Sequence, residues 1–262
     1  MKGLLPRRVL PVLMYHRIGS AAGSEPSLFV SRRSFNRQLH WLKDHGFETV
    51  SIDTAVEIWS RGKVPKRAVL VTFDDAFADT LEVAAAALAD CGSKATVFAP
   101  SALLGQEVEL RNQQASAAPV SRGRIASETE LRDWVDRGFD LGSHSSTHAD
   151  LVTEPASRVV TEMIDSKRWL EDRVEHPIED FCYPYAHHNA MCRKLAQRCG
   201  YRSAFAGEPP IRDLYAIPRM MVYPEDSMKR FRRKVSGFYY WASTWHRRLT
   251  LGGRQAQRRG VS

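Results

Sequence analysis

The 262-residue chain contains no run approaching about 18 consecutive apolar residues, so the sequence offers no transmembrane helix. It has no CxxC pair. Its four cysteines, Cys91, Cys182, Cys192 and Cys199, are too few and too scattered for the disulfide framework of a small secreted domain. They read as buried or half-buried free thiols in a reducing compartment. Internal repeats are absent. The opening Met1 to Arg8 is charged, but Val9 to Tyr15 is short and holds Pro11, so no signal-peptide apolar region follows and an unexported chain is expected. Acidic residues are missing from Met228 to Ser262, where ten Lys or Arg stand. The rest of the chain carries 28 basic and 30 acidic residues, so the formal charge of +8 belongs to the tail and says nothing about the fold or its site. What is present is 43% hydrophobic and 26% charged, the balance of a soluble globular protein, which excludes collagen-like and fully disordered chains.

Strand and helix patterns alternate. Val9 to Tyr15 reads as a buried strand ending at His16. Ser34 is a plausible N-cap for a helix carrying Phe35, Leu39 and Leu42, which Gly46 stops. Phe47 to Ile52 is a strand candidate, and Ala55, Ile58 and Trp59 mark a second helix. Ala68 to Phe73 (AVLVTF) is the continuous β-branched run of a strand buried on both faces of a parallel sheet. An Ala-rich helix over Thr80 to Asp90 and a strand over Ala95 to Ala99 complete a βαβ unit. Gly105 to Ala126 is polar without a period and reads as a long loop, a functional lid or a disordered segment. Ser127 and Glu130 form a capping box ahead of Leu131 and Trp134. Phe139 to Gly142, Phe181 to Tyr185, Tyr201 to Ala206 and Ile217 to Val222 are further strand candidates, with helices around Val159 to Leu170 and up to Gly200. This pattern predicts a single α/β domain over 9–227, barrel-like, followed by a basic aromatic extension over 228–262.

Residues able to do chemistry recur just after strands: His16, Asp74 and Asp75, His144, and Tyr185. In parallel α/β folds that edge is where sites assemble. His144 and His148 are four residues apart, so one turn can aim both imidazoles at one point. Two imidazoles and a carboxylate suit zinc with one position left open for water. A second carboxylate beside them, not itself a ligand, could take that water's proton. Each part alone is weak, since an Asp-Asp turn is usually a solvated loop and an isolated HxxxH is more often chance than a metal site. Two His and one carboxylate also make the facial triad of non-haem iron oxygenases. That chemistry does not need the second aspartate.

Four stretches carry a family resemblance: VLMYHRI (Val12 to Ile18), VTFDDAFAD (Val71 to Asp79), GSHSSTHADL (Gly142 to Leu151) and FCYPYAHHN (Phe181 to Asn189). Together they resemble the motifs of the polysaccharide deacetylase family, the NodB-like carbohydrate esterase family 4, in its circularly permuted poly-N-acetylglucosamine de-N-acetylase branch. The resemblance implies an irregular (β/α) barrel and a metal-dependent hydrolase that removes the N-acetyl group from an amino sugar of a polysaccharide or lipid-linked glycan. It implies Asp74 as general base, with Asp75, His144 and His148 as ligands of a divalent metal, zinc first and cobalt or nickel as neighbours. The Tyr185 N–H would hold the oxyanion and His16 would protonate the leaving amine, with His187 and His188 as rival donors. Pro184 and Arg219 are assigned to the substrate-binding set.

The chain departs from the family pattern. Ala76 and Ala186 stand where glycines are usual. Cys182 occupies the place of the arginine that orients the base, for which Arg219 in IPRM is the candidate replacement. No LxxH motif appears near the C-terminus. These departures keep a second reading open, that of a weak or inactive carbohydrate-binding member of the same fold. The tail interleaves Phe231, Phe238, Tyr239, Tyr240, Trp241 and Trp245 with arginines. Aromatics favour the membrane interface and basic clusters attract anionic lipid. A cytoplasmic protein with a peripheral contact at the inner membrane face is therefore expected. Nucleic acid would use the same charge, but no recognition motif accompanies it.

Overall fold

A computed structural model describes residues 8–20, 28–111, 120–207 and 213–237. The described residues form thirteen strands: β1 (Val12–Tyr15), β2 (Arg17–Ile18), β3 (Phe29–Val30), β4 (Glu48–Thr49), β5 (Ala68–Phe73), β6 (Thr96–Ala99), β7 (Glu107–Arg111), β8 (Val120–Arg124), β9 (Asp140–Ser143), β10 (Asp180–Cys182), β11 (Ser203–Ala206), β12 (Ile217–Pro218) and β13 (Met220–Met221). Seven α-helices accompany them among the described residues: α1 (Arg32–Asp44), α2 (Ile52–Arg61), α3 (Ala78–Cys91), α4 (Glu128–Asp136), α5 (Ala156–Val174), α6 (Ala190–Arg198) and α7 (Met228–Val235).

Eight strands run side by side in the order β12-β11-β10-β9-β6-β5-β1-β13, with β4 pairing the start of β5. Every pair in this row is parallel. The two ends of the row, β12 and β13, are separated in sequence by Arg219 alone. The row therefore curls back on itself into a nearly closed barrel, and the expected irregular (β/α) barrel is what the chain adopts.

Alternation along buried strands sorts side chains between two layers. Val12, Leu70, Phe98, Cys182, Phe205 and Ile217 fall in one apolar cluster. Their neighbours Leu13, Val71, Val97, Phe181 and Ala204 fall in the other, packed with helix residues such as Phe35, Leu88, Trp134 and Phe231. Gly142 belongs to this packing, because a Cβ there would lie 2.6 Å from the Phe98 ring and 3.0 Å from the Asp180 carbonyl oxygen.

Helix starts follow local chemistry. Ser51 caps α2, and Ser127 caps α4 in the expected reciprocal box with Glu130. The cap of α1 is Ser31 rather than Ser34. The Ser31 Oγ accepts from the Ser34 N–H at 3.1 Å, so Ser34 is the third helical residue. The expected loop over 105–126 is instead an antiparallel hairpin, β7 with β8, whose tip (112–119) lies outside the described residues. Its alternation was hidden because charged residues flank single apolar ones: Val108 and Leu110 pack on the core while Glu109 pairs outside with Arg122 at 2.7 Å.

Within the expected extension, α7 packs against the barrel through buried Phe231 and Val235. Phe238 to Trp245 and the remaining tail residues lie outside the described residues. No helix among the described residues is long and apolar enough to cross a membrane. The four cysteines are free, with Cys91, Cys182 and Cys192 buried.

Candidate active site

The ends of β1, β5, β9 and β10 deliver the chemically active side chains to one mouth of the barrel. A cavity of about 280 Å³ opens there, and its wall includes His16, Asp74, Asp75, His144, His148 and Tyr185. The rest of its lining is largely apolar, with Met14, Leu28, Leu110, Met221 and Tyr223.

The loops reach these positions through unusual backbone. Seven non-glycine residues among those described have positive φ, and six of them lie here: Asp75, Ala76, Ser145, His148, Tyr185 and Ala186. A left-handed L-residue costs roughly 1–2 kcal/mol, and such strain collects where a site must aim its groups. The two alanines at family glycine positions are among the six, with φ 56° at Ala76 and 58° at Ala186. Glycine would meet this backbone requirement freely, and the two alanines meet it at some cost. Ala186 lines the cavity, whereas Ala76 is buried behind it.

Asp75, His144 and His148 converge. The Asp75 Oδ1 lies 3.1 Å from His148 Nε2 and 3.5 Å from His144 Nε2. One ligand atom from each residue lies within 4.8 Å of the others. His144 Nδ1 sits 2.9 Å from the Cys182 carbonyl oxygen, so Nδ1 donates and the Nε2 lone pair faces Asp75. The His144 lone pair and the Asp75 oxygen, 3.5 Å apart, cannot share this buried space without a cation or proton between them. The residue set therefore fits a divalent metal. Without one, burial opposes both charged forms, yet the imidazole hydrogen bonds hold Asp75 well below the usual carboxylate range. Burial opposes the charged form of His144 too, but the Asp75 bond and the nearby Asp74 carboxylate raise it well above an ordinary histidine.

Asp74 points into a second arrangement. Arg219 grips both of its oxygens, Nη1 to Oδ1 at 2.5 Å and Nη2 to Oδ2 at 2.7 Å. Ile217 and Arg219, two residues apart, share a face, which places this fully buried guanidinium above Phe98, 5.5 Å from its ring centroid. The Cys182 Sγ reaches Asp74 Oδ1 at 3.7 Å, leaving room for the Arg219 fork. Burial pushes the Asp74 carboxyl up, but Arg219, with His144 and His16, brings it below the ordinary value. His16 Nε2 stands 4.0 Å from Asp74 Oδ2. Burial lowers the His16 pKa, partly opposed by the two aspartates.

Tyr185 sits on a tight turn, Pro184 to Ala186, whose own bonds are donated by the Ala186 and His187 N–H groups to Tyr183 and Pro184. Its ring meets His148 edge-on at 4.7 Å, and burial pushes its phenol up to about 12. The rival histidines are occupied elsewhere: His187 Nδ1 lies 3.1 Å from Asp150 Oδ2, and His188 Nδ1 accepts from Arg193 at 3.1 Å. Neither is on the cavity wall. Pro184 and Arg219, assigned to substrate binding, do not line the cavity either. Pro184 is buried within its turn and Arg219 stands behind Asp74.

Comparison with known proteins bears directly on this geometry. The family model for polysaccharide deacetylases matches residues 61–204, which include the Asp-Asp turn, both histidines and the Tyr185 turn. The chain belongs to the polysaccharide deacetylase family. YxkH of Bacillus subtilis (strain 168), a polysaccharide deacetylase by name, is 29% identical over 227 residues, covering 85% of this chain and 74% of its own. A poly-beta-1,6-N-acetyl-D-glucosamine N-deacetylase of Staphylococcus aureus (strain MSSA476) is 23% identical over 223 residues, covering 80% and 73%. Among solved structures, the deacetylase PplD of Streptococcus pyogenes superposes with a TM-score of 0.73 at 24% identity, covering 86% of this chain and 97% of that one. IcaB of Ammonifex degensii gives 0.69 at 19% identity, covering 89% and 97%. At these identities the two structures establish the fold. Family membership makes this polysaccharide deacetylase a hydrolase acting on an acetylated glycan, with a candidate metal centre in Asp75, His144 and His148.

Sequence reasoning overlooked Glu162. It looked like one more charged residue of a surface helix, but it is completely buried beneath the loop that carries both histidines. Its only signal was its position on the apolar face of α5, one residue before Met163 and three after Val159.

Proposed function

We propose that the protein hydrolyses the N-acetyl group of an amino sugar in a polysaccharide or lipid-linked glycan, releasing acetate and a free amine. The observation that carries this reading is one cavity in which Asp75, His144 and His148 converge beside a separately held carboxylate, Asp74. Asp75 and the Nε2 atoms of His144 and His148 would hold the metal, zinc by preference with cobalt or nickel as neighbours. When bound, such a cation supplies Lewis acidity, acidifying a water molecule and polarising the acetyl carbonyl.

The chain's own groups do the rest. Asp74 accepts the proton of the attacking water. The Arg219 fork keeps it ionised and aimed, at the expense of basicity, so it serves only a water already made acidic. The Tyr185 N–H, not among the donors that close its turn, faces the developing oxyanion. His16, neutral at rest because burial lowers its pKa, relays a proton to the departing nitrogen. The C–N bond breaks, the water oxygen stays with the acetyl carbon as acetate, and the two water protons end on the amine and in solvent. The apolar wall of Met14, Leu28, Leu110, Met221 and Tyr223 gives a sugar ring and the acetyl methyl a dry surface.

The test is acetate release from N-acetylglucosamine oligomers, the β-1,6-linked form included, with metal-loaded and chelator-stripped protein. Acetate that appears only with metal, alongside a 42 Da loss per sugar, supports the reading. Iron-dependent oxygen uptake, or sugar binding without acetate, would replace it by the oxygenase or the inactive-binder reading.

The basic end of the chain supports a peripheral membrane contact as a further part of this reading. Helix α7 buries Phe231 and Val235 while Lys229, Arg232 and Arg233 face solvent. Such cations are each worth about 1 kcal/mol at an anionic surface. Flotation with anionic vesicles should be lost in Arg232→Glu/Arg233→Glu; unchanged flotation would remove the idea.

A further inference from the structure

We propose that Glu162 is a positioning residue that pre-forms the metal-ligand loop, so that His144 and His148 meet the cation without reorganisation. The inference rests on the reading of Asp75, His144 and His148 as metal ligands and names what holds two of them in place.

The loop Ser145 to Thr147 connects the two histidines, and its backbone is strained at Ser145 (φ 65°) and at His148 itself (φ 59°). Such a loop stays put only if its polar groups are bound from outside. They are bound on both sides. The carbonyl oxygens of Ser145 and Ser146 accept from the N–H groups of Ser101 and Ala102 at 3.2 and 2.9 Å, at the turn that follows β6. The N–H groups of Ser146 and Thr147 both donate to one oxygen of Glu162, Oε2, at 2.9 and 2.8 Å. The Thr147 hydroxyl donates to the other, Oε1, at 2.7 Å, where Arg158 also reaches at 2.7 Å. Glu162 is thus a buried carboxylate with four donors, three of them from the ligand loop.

The need for such a brace differs between the two histidines. His144 is oriented by its own Nδ1 bond to the Cys182 carbonyl. The His148 Nδ1 is buried and finds no protein partner among the described residues. Behind its Nε2 contact with Asp75, the ring is held, among the described residues, only by edge contacts with Tyr185 and His144 and by its backbone. The orienting that a hydrogen-bond acceptor behind a ligating imidazole usually provides is therefore done for His148 through the loop, and Glu162 binds that loop.

The test compares the full chain with Glu162→Leu, Glu162→Gln and Arg158→Ala. Each is stripped of metal and titrated with Co2+, with thermal unfolding and backbone amide exchange over 144–148 followed in the metal-free proteins. Glu162→Leu should lose tenfold to a hundredfold in Co2+ affinity. Its Ser146 and Thr147 amides should exchange faster. Glu162→Gln keeps a carbonyl oxygen for those amides and should recover most of the affinity. Arg158→Ala removes only the solvent-side partner and should bind as the parent does. Co2+ binding by Glu162→Leu at parental affinity, even with lowered thermal stability, would overturn the proposal and leave Glu162 a plain structural brace. Should Glu162→Leu fail to fold, the parent's own amides decide: strong protection of Ser146 and Thr147 without metal supports a pre-formed loop, and rapid exchange refutes it. Failure of the parent chain to bind Co2+ would strike the metal reading itself, with the amide exchange still judging the loop.

Discussion

Replacing Arg219 by methionine isolates the pair that holds Asp74. Both partners are buried, and the contact is bidentate. Removing one partner of a buried ion pair leaves the other charge unsolvated, at about 3–5 kcal/mol, whereas replacing both by neutral groups is often close to neutral. For a chain of this size each kcal/mol moves Tm by roughly 2–4 °C, so Arg219→Met should lower it by about 6–20 °C at pH 8. The pH dependence has a definite sign. In the parent, Arg219 keeps the Asp74 pKa below its unfolded value, so its stabilisation is present above about pH 4 and is lost as pH falls through the folded pKa. Without Arg219, burial dominates and the folded pKa rises above the unfolded value. The variant then carries a penalty above that raised pKa, and the penalty fades as pH falls and Asp74 protonates. Thermal unfolding of metal-free Arg219→Met should therefore show its largest deficit at pH 8 and a smaller one at pH 5.5. Adding Asp74→Asn should restore most of the loss at pH 8. Equal deficits at both pH values, or no rescue by the second substitution, would refute the reasoning.

Asp74→Asn should keep metal and lose turnover, while Asp75→Asn should lose both; metal content and acetate release measured on the same samples separate the two roles. Metal affinity should weaken as pH falls through the raised His144 pKa, so the loss begins at a higher pH than an ordinary histidine would give, because the metal must displace a tightly held proton; Co2+ titrations from pH 6 to 8.5 would show this, and a flat profile would contradict it. Gly142→Ala should cost about 1–3 kcal/mol by overpacking, since its Cβ would lie 2.6 Å from Phe98; an unchanged Tm would mean that Phe98 yields freely.

The run Ala68 to Phe73 marks a doubly buried strand because its apolar character is broken only by Thr72, and that pattern alone puts Asp74 and Asp75 at a strand end. The four-residue spacing of His144 and His148 is equally visible, although a strained loop rather than a helix brings them together. Other features depend on three dimensions. Arg219 meets Asp74 only because the strand row closes, joining residues 145 apart. The hairpin of β7 and β8 is masked by its charged outer face. Six left-handed residues at the site carry no glycine to flag them. Glu162 has the composition of a solvent-facing helix residue and is distinguished only by the loop folded over it.

The central claim is that Asp75, His144 and His148 close on a single cation. Anomalous diffraction from crystals soaked in Co2+ tests it most directly. The account predicts one strong peak at about 2.0–2.2 Å from an Asp75 oxygen and from both Nε2 atoms. Its remaining coordination should open to the cavity beside Asp74. A peak held by other residues, or none at these three under conditions that support acetate release, would contradict it.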